Sequence, residues 1–181
     1  MSLTLWIVIA IAIVALAGAA IWMAYTRRRT SAALRDRFGP EYDHVLHEHG
    51  EPRRAEQELQ ARAERVEQLH IRPLSPERSR QYGDDWREVQ SQFVDDPEAA
   101  IARADHLVVE VMEARGYPMG DFEQRAADIS VDHPREVEHY RAAHLVANRA
   151  AGGSVNTEEL RQAMVHYRAL FEDLIDDRQA A

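Results

Sequence analysis

A run of 23 residues without a charged side chain, from Leu3 to Tyr25, limits what this chain can fold into more than any other feature. As an α-helix the run would extend about 34 Å at about 1.5 Å per residue, enough to cross the roughly 30 Å hydrocarbon core of a bilayer. A helix at the surface of a soluble core would have one polar face, and this run has none. The run therefore predicts a single transmembrane helix.

The residues that flank the run fit a membrane interface, because aromatic rings settle at the headgroup level and arginines stay in the cytoplasm. The predicted membrane-interface residues are Trp6, Trp22, Tyr25, Arg27, Arg28 and Arg29. By the positive-inside rule, the arginines orient the helix with its N-terminus outside. We expect a single-pass protein of the bacterial plasma membrane that contacts lipid through residues 3–25 and holds its soluble domain in the cytoplasm.

Two alternatives to this topology stay open. A cleavable signal peptide would carry positive charge before its apolar region, whereas here only the chain's own amino group precedes it. If the positive-inside rule does not hold for this chain, the domain is instead an anchored domain that faces the cell envelope. A reporter fused after Ala181 distinguishes the cytoplasmic from the envelope-facing arrangement.

The charge of the remaining chain excludes several functions. Three of the 22 basic residues lie in the first 30 positions, which leaves 19 arginines against 31 acidic residues and a net charge of −12. Phosphate groups repel such a body, so we expect no nucleic-acid partner. The chain has no Cys and no Lys, which excludes zinc–thiolate sites, Schiff-base chemistry and the lysine of a phosphate-binding loop.

The rest of the sequence predicts helices only, because apolar residues recur every three or four positions and no segment alternates with period two. Helix starts are indicated at Ser75-Pro76, Asp96-Pro97, Asp132 and Asn156, the last with Glu159 as a capping box. The predicted fold is all-α, with an N-terminal transmembrane helix and stem followed by a four- or five-helix bundle. The predicted divisions are 1–30 for the anchor and its basic flank, 31–72 for the juxtamembrane stem and a charged helix, 73–176 for the bundle, and 177–181 for a disordered tail.

Several short words in the soluble part resemble a family of uncharacterised bacterial proteins with a single membrane segment and a helical domain. The words are RFGPEYD at 37–43, RPLSPE at 72–77, FVDDP at 93–97, RGYP at 115–118, DFEQRAAD at 121–128 and LRQAMVHYR at 160–168. They extend over nearly all of the soluble part. The resemblance implies one helical domain behind a membrane segment, and it implies no activity, cofactor or catalytic residue.

Histidines and glutamates supply the candidate metal ligands. His44 and His47 would share one face of a helix, and imidazoles at that spacing bind zinc, copper or nickel. Glu-x-x-His occurs as Glu41/His44 and as Glu136/His139, the spacing that di-iron helical bundles use. His144 lies in the apolar stripe of its helix, where a histidine either hydrogen-bonds a carboxylate, carbonyl or tyrosine hydroxyl, or binds a metal or haem. We expect hydrogen bonding at His144, and solvent exposure of His106 and His166.

An irregular segment in the middle of the bundle is the predicted partner surface. Tyr117, Pro118, Met119 and Phe122 combine apolar side chains with broken helix geometry, so they either cap the core or bind a partner. No catalytic constellation is recognisable and no cofactor is predicted. We therefore expect a membrane-tethered, non-enzymatic adaptor or scaffold with a protein partner, which could also self-associate. The alternative is a metal- or haem-binding bundle.

Overall fold

The computed structural model describes residues 3–176, and within that range the chain forms eight helices and no strand. The helices are α1 (Leu3–Phe38), α2 (Pro40–His49), α3 (Pro52–Glu67), α4 (Pro76–Asp95), α5 (Pro97–Arg115), α6 (Phe122–Asp132), α7 (Glu136–Ala150) and α8 (Thr157–Asp176). The prediction of an all-α fold is confirmed. The predicted tail at 177–181 lies outside the described residues.

Among the described residues, no helix is found that is both long enough and apolar enough to cross a membrane. The prediction of a transmembrane helix over residues 3–25 therefore has no support from the structure, and it returns below only as a proposal. The chain divides into two compact units between Arg37 and Phe38. The second unit includes α2 and α3, so these two helices group with the bundle rather than with the stem to which the sequence assigned them.

The boundary between α1 and α2 follows from two residues. Gly39 adopts a positive φ of 47°, which a residue without Cβ reaches without strain, and Pro40 supplies the first helical position of α2. Gly followed by Pro is a helix break that can be recognised in a sequence. Gly50 then ends α2 in the left-handed conformation.

Four helices, α4, α5, α7 and α8, surround the main core, with α5 packed against each of the other three. The fully buried side chains of this core include Ile101, Leu107, Tyr140, Tyr167, Leu170 and Phe171. The ring of Trp86 stacks on Phe171 with 4.6 Å between centroids. Helix α6 packs against α7 and against α3, and α3 packs against α2. The structure thus confirms the helical bundle and adds an α2–α3 hairpin beside it.

Side-chain caps begin most of the bundle helices where the sequence indicates. Ser75 Oγ accepts from the Arg78 amide at 3.3 Å, and Asp96 Oδ1 accepts from Ala99 at 3.0 Å. Asn156 and Glu159 form the reciprocal capping box, with distances of 2.9 and 3.0 Å. The assignment of Asp132 as a cap of α7 is wrong.

Asp132 instead ends α6, and α7 begins at Glu136 without a side-chain cap. The Asp132 carboxylate accepts a hydrogen bond from the Tyr117 hydroxyl at 3.1 Å. This tertiary contact, together with continuation of α6 through Val131, takes Asp132 out of the capping role that its place in the sequence suggested.

Two glycines should respond to alanine substitution in opposite directions. Gly116 ends α5 at a φ of 101°, and a Cβ there would lie 2.8 Å from the carbonyl oxygen of His70. Gly116→Ala is expected to reduce the free energy of unfolding by about 2 kcal/mol or more, from the left-handed backbone and this contact. Gly83, inside α4, has open space at its Cβ position, so Gly83→Ala should stabilise by about 0.5–1 kcal/mol. Urea denaturation of the full chain measures both, and loss of stability in the Gly83 variant would contradict the helix placement.

Candidate functional site

The most concentrated group of polar side chains in the bundle joins α5, α7 and α8. Asp105 Oδ1 accepts a hydrogen bond from the Tyr167 hydroxyl at 2.7 Å and lies 3.2 Å from His144 Nδ1. Tyr167 is fully buried, while His144 and Asp105 reach the edge of the core. The expectation that His144 hydrogen-bonds a polar neighbour is confirmed, and the neighbour is a carboxylate 39 residues away in the chain.

The directions of the pKa shifts of Asp105 and Tyr167 indicate that the carboxyl group is ionised and the hydroxyl group protonated. Burial alone would raise the pKa of Asp105, but hydrogen bonds from His144 and Tyr167 hold it below its ordinary value. Burial, and then the Asp105 charge, raise the pKa of Tyr167, so its hydroxyl keeps its proton. Since ionised Asp105 can only accept, His144 Nδ1 carries a proton and, in the neutral ring, Nε2 holds the lone pair.

Aromatic rings fix the orientation of the His144 ring. Phe122 stacks on it with 3.8 Å between centroids and 5° between planes, and the Tyr140 ring lies 6.2 Å away. Within residues 3–176, no side chain or carbonyl hydrogen-bonds Nε2. An imidazole oriented by a carboxylate can accept a proton or bind an ion at its other nitrogen. The group is thus a polarised histidine in an aromatic setting, and no groove is described beside it that would hold a substrate.

A second polar group lies where α2, α3 and α7 meet. The Glu41 carboxylate is completely buried and receives three charged hydrogen bonds, one from Arg62 at 2.8 Å and two from Arg141 at 2.6 and 2.8 Å. Arg62 also contacts Glu58 through Nε at 2.9 Å. These hydrogen bonds use three of the roughly four acceptor sites of the carboxylate and neutralise its charge, which leaves it poorly suited to bind a metal ion. The hydrogen bonds of Glu41 to Arg62 and Arg141 thus join α2 to α3 and α7, and this group is called the Glu41 clamp.

The arginine contacts of Glu41 bear on the alternative in which the two Glu-x-x-His motifs bind a di-iron centre. In the Glu41/His44 motif, Glu41 is buried and bound by two arginines, whereas His44 is exposed, so the two side chains do not form a ligand pair. Glu136 and His139 do not form a ligand pair either, since His139 contacts His166 instead. Over the described residues, no group of three or more His, Asp or Glu side chains is arranged to hold a metal ion.

His44 and His47, the first metal candidates, lie together on an open groove between α2 and α7. The groove has a volume of about 670 Å³ and is lined by Pro40, Asp43, His44, His47, Glu48 and Glu138. Five of the six lie on one exposed face of α2 at helical spacing. Glu138, from α7, forms the opposite side. The groove therefore combines three carboxylates with two imidazoles on exposed helix surfaces.

The predicted partner surface at 117–122 is divided between buried and exposed residues. Tyr117 is buried with its hydroxyl on Asp132, and Phe122 packs on Tyr140 and His144. Pro118 is partly buried, and Met119 alone among the four is exposed. Because two of the four side chains complete the core, the segment caps the bundle and does not form one continuous apolar surface.

His166 was expected to be exposed to solvent, and it is partly exposed but paired with a second histidine. Its Nδ1 lies 2.8 Å from His139 Nδ1, and the two rings are within 22° of parallel with centroids 4.9 Å apart. His106, by contrast, is exposed as expected, in contact with Glu110. Tyr140 and Tyr167, the next residue in each helix, face each other in the core, and this α7–α8 register brings the two histidines together. The sequence alone does not give that register.

Comparisons with protein-family models, with curated proteins and with solved structures find no match for this chain. The resemblance to a family of membrane-anchored proteins therefore stays an expectation from the sequence.

Proposed function

We propose that this protein is a membrane-tethered, non-enzymatic interaction module, and that the α2–α7 groove binds a basic segment of a partner protein. The observation that carries the proposal is the groove itself. It has a volume of about 670 Å³, and it lies on exposed helix surfaces that contribute nothing to the main core.

The negative charge of the groove favours a basic partner segment. With neutral imidazoles, the groove carries three carboxylates from Asp43, Glu48 and Glu138, in a body whose net charge is −12 beyond residue 30. A segment bearing Arg or Lys gains from this field both in the rate of encounter and in orientation. The imidazoles of His44 and His47 add hydrogen-bonding groups along the same face.

Several other carboxylates are hydrogen-bonded within the domain, and this favours a binding role over a catalytic one. Glu41, Asp105 and Asp128 each receive two or more hydrogen bonds from side chains of the same domain. Such groups hold helices together and leave few reactive atoms at the surface. A binding role needs only the exposed faces that remain.

Photo-crosslinking in cells tests the groove. Probes at His44 and His47 are expected to capture a partner segment rich in Arg or Lys, and a probe at exposed Glu113 on α5 is the control. Glu138→Arg should abolish capture, because it reverses a charge inside the groove, whereas Glu113→Arg should not. Capture that survives Glu138→Arg, or a captured segment without basic residues, would overturn this proposal.

The membrane tether is a proposal of its own, supported by the sequence between Leu3 and Tyr25 and by the three arginines that follow it. Lipid contact would concentrate the groove near partners at the same membrane.

Full-length protein is expected to stay in the membrane fraction after alkaline carbonate extraction. The double substitution Ile11→Arg, Val14→Arg should release it, since an arginine at the centre of a membrane helix costs roughly 2.5–3.5 kcal/mol. Release of the unaltered chain would refute the tether and leave the groove proposal intact.

A further inference from the structure

We propose that His139 and His166 form a two-histidine binding site for a divalent transition-metal ion, with Cu²⁺ as the preferred ion. This inference is independent of the groove and of the membrane tether. It rests on the way α7 and α8 hold two imidazoles together at the protein surface.

The two imidazoles share one proton at most between their facing nitrogens. At 2.8 Å, His139 Nδ1 and His166 Nδ1 cannot both carry hydrogen, so one N–H donates to the lone pair of the other. A metal ion that bound both nitrogens would displace this proton.

The distance between the nitrogens is compatible with two adjacent ligands of one ion. Two nitrogens bound to one ion at about 2.0–2.1 Å and separated by 2.8 Å subtend about 85° at the ion. That is close to the right angle between adjacent ligands in square-planar or tetragonal complexes of Cu²⁺. A tetrahedral Zn²⁺ site would need the nitrogens about 3.3 Å apart. Cu²⁺ also binds nitrogen ligands more tightly than the other divalent ions of its row.

The site is built on a rigid part of the fold. Tyr140 and Tyr167, each one residue further along, are fully buried and meet edge to face at 6.5 Å between centroids. This core contact fixes the register of α7 against α8, and so it fixes the two histidines on the outside. Ligands held by packed helices lose little freedom when an ion binds. His139 is exposed and His166 partly exposed, so an ion can reach both.

The remaining coordination positions would be taken by water. No third His, Asp or Glu side chain is arranged beside the pair among residues 3–176. A site with two protein ligands and open positions exchanges its ion readily and can accept a further ligand from another molecule.

A competition titration of the full-length chain with Cu²⁺ against a chromogenic chelator tests the inference. The unaltered protein is expected to bind one Cu²⁺ at its tightest site. His139→Gln and His166→Gln should each weaken that site by about tenfold or more, a loss of at least about 1.4 kcal/mol. The double variant should lose little beyond either single one, because both rings bind the same ion.

The histidines of α2 provide the matched control. The double variant His44→Gln, His47→Gln should keep the tightest site unchanged, and the electron paramagnetic resonance spectrum of the bound Cu²⁺ should show coupling to two nitrogens. Retention of full affinity by either α7–α8 single variant would overturn the inference. Additive losses in the double variant, or loss of the site in the α2 control, would overturn it as well.

Discussion

Replacing Glu41 with alanine is expected to reduce the free energy of unfolding by about 3–5 kcal/mol, the largest effect of any single substitution considered for this protein. Glu41 is fully buried, and its two partners are nearly so, with exposed side-chain fractions of 8% for Arg62 and 19% for Arg141. Without the carboxylate, Arg141 would lose its acceptor among the described residues, and Arg62 would keep only the partly exposed Glu58. The cost comes from these poorly compensated guanidinium charges and not only from the lost hydrogen bonds.

The same substitution should act unevenly along the chain. Because Glu41 joins α2 to α3 and α7, its loss should release the α2–α3 hairpin before the four-helix core. Hydrogen exchange is expected to become faster in α2 and α3 while α5 and α8 keep their protection. Urea denaturation of the full chain gives the total loss.

Glu58→Gln is the control for this prediction. Glu58 also bonds Arg62, but its side chain is 38% exposed and water can replace it. Removing that charge should cost less than about 1 kcal/mol. If Glu41→Ala proved no more harmful than Glu58→Gln, the clamp would not hold the hairpin.

Local patterns in the sequence were sufficient to predict the helices and most of their ends. The break at Gly39-Pro40, the caps at Ser75 and Asp96, and the Asn156–Glu159 box depend on neighbours within four residues, so they could be recognised without a structure. Where the prediction failed, at Asp132, a tertiary hydrogen bond from Tyr117 accompanies the different helix boundary. Short-range capping rules contain no information about such a bond.

The polar groups of the bundle were harder to predict, because their partners lie far apart in the chain. Glu41 pairs with a residue 100 positions away, and His139 with one 27 positions away. Such pairs depend on which helices are neighbours and on their register, and a single sequence specifies neither. The sequence does indicate a polar partner for Asp105, because Asp105 lies on the same helical stripe as Ile101 and Val108. A carboxylate on an apolar stripe of α5 and a histidine on one of α7 were candidates for pairing.

Replacing Asp105 with alanine is the second large effect, a loss of about 2–4 kcal/mol, because two donors lose their acceptor at once. The Tyr167 hydroxyl is fully buried and has no other partner among the described residues, while His144 Nδ1 is partly shielded by Phe122. Asp105→Asn should cost less, since its amide oxygen can still accept from Tyr167. An alanine variant as stable as the unaltered chain would show that the hydrogen-bonded group is not structural.

The same carboxylate should make stability depend on pH in acid solution. Hydrogen bonds from His144 and Tyr167 outweigh the effect of burial and hold the pKa of Asp105 below the ordinary value of 3.8. A group whose pKa is lower in the folded state binds its proton more weakly there, so its contribution is complete above the unfolded pKa. That contribution is lost as the pH falls from about 4 through the lower folded pKa. Urea denaturation from about pH 6 to about pH 3, which covers the onset of that loss, should therefore give a shallower decline for Asp105→Asn than for the unaltered chain. Equal slopes would mean that other carboxylates carry the acid sensitivity of the bundle.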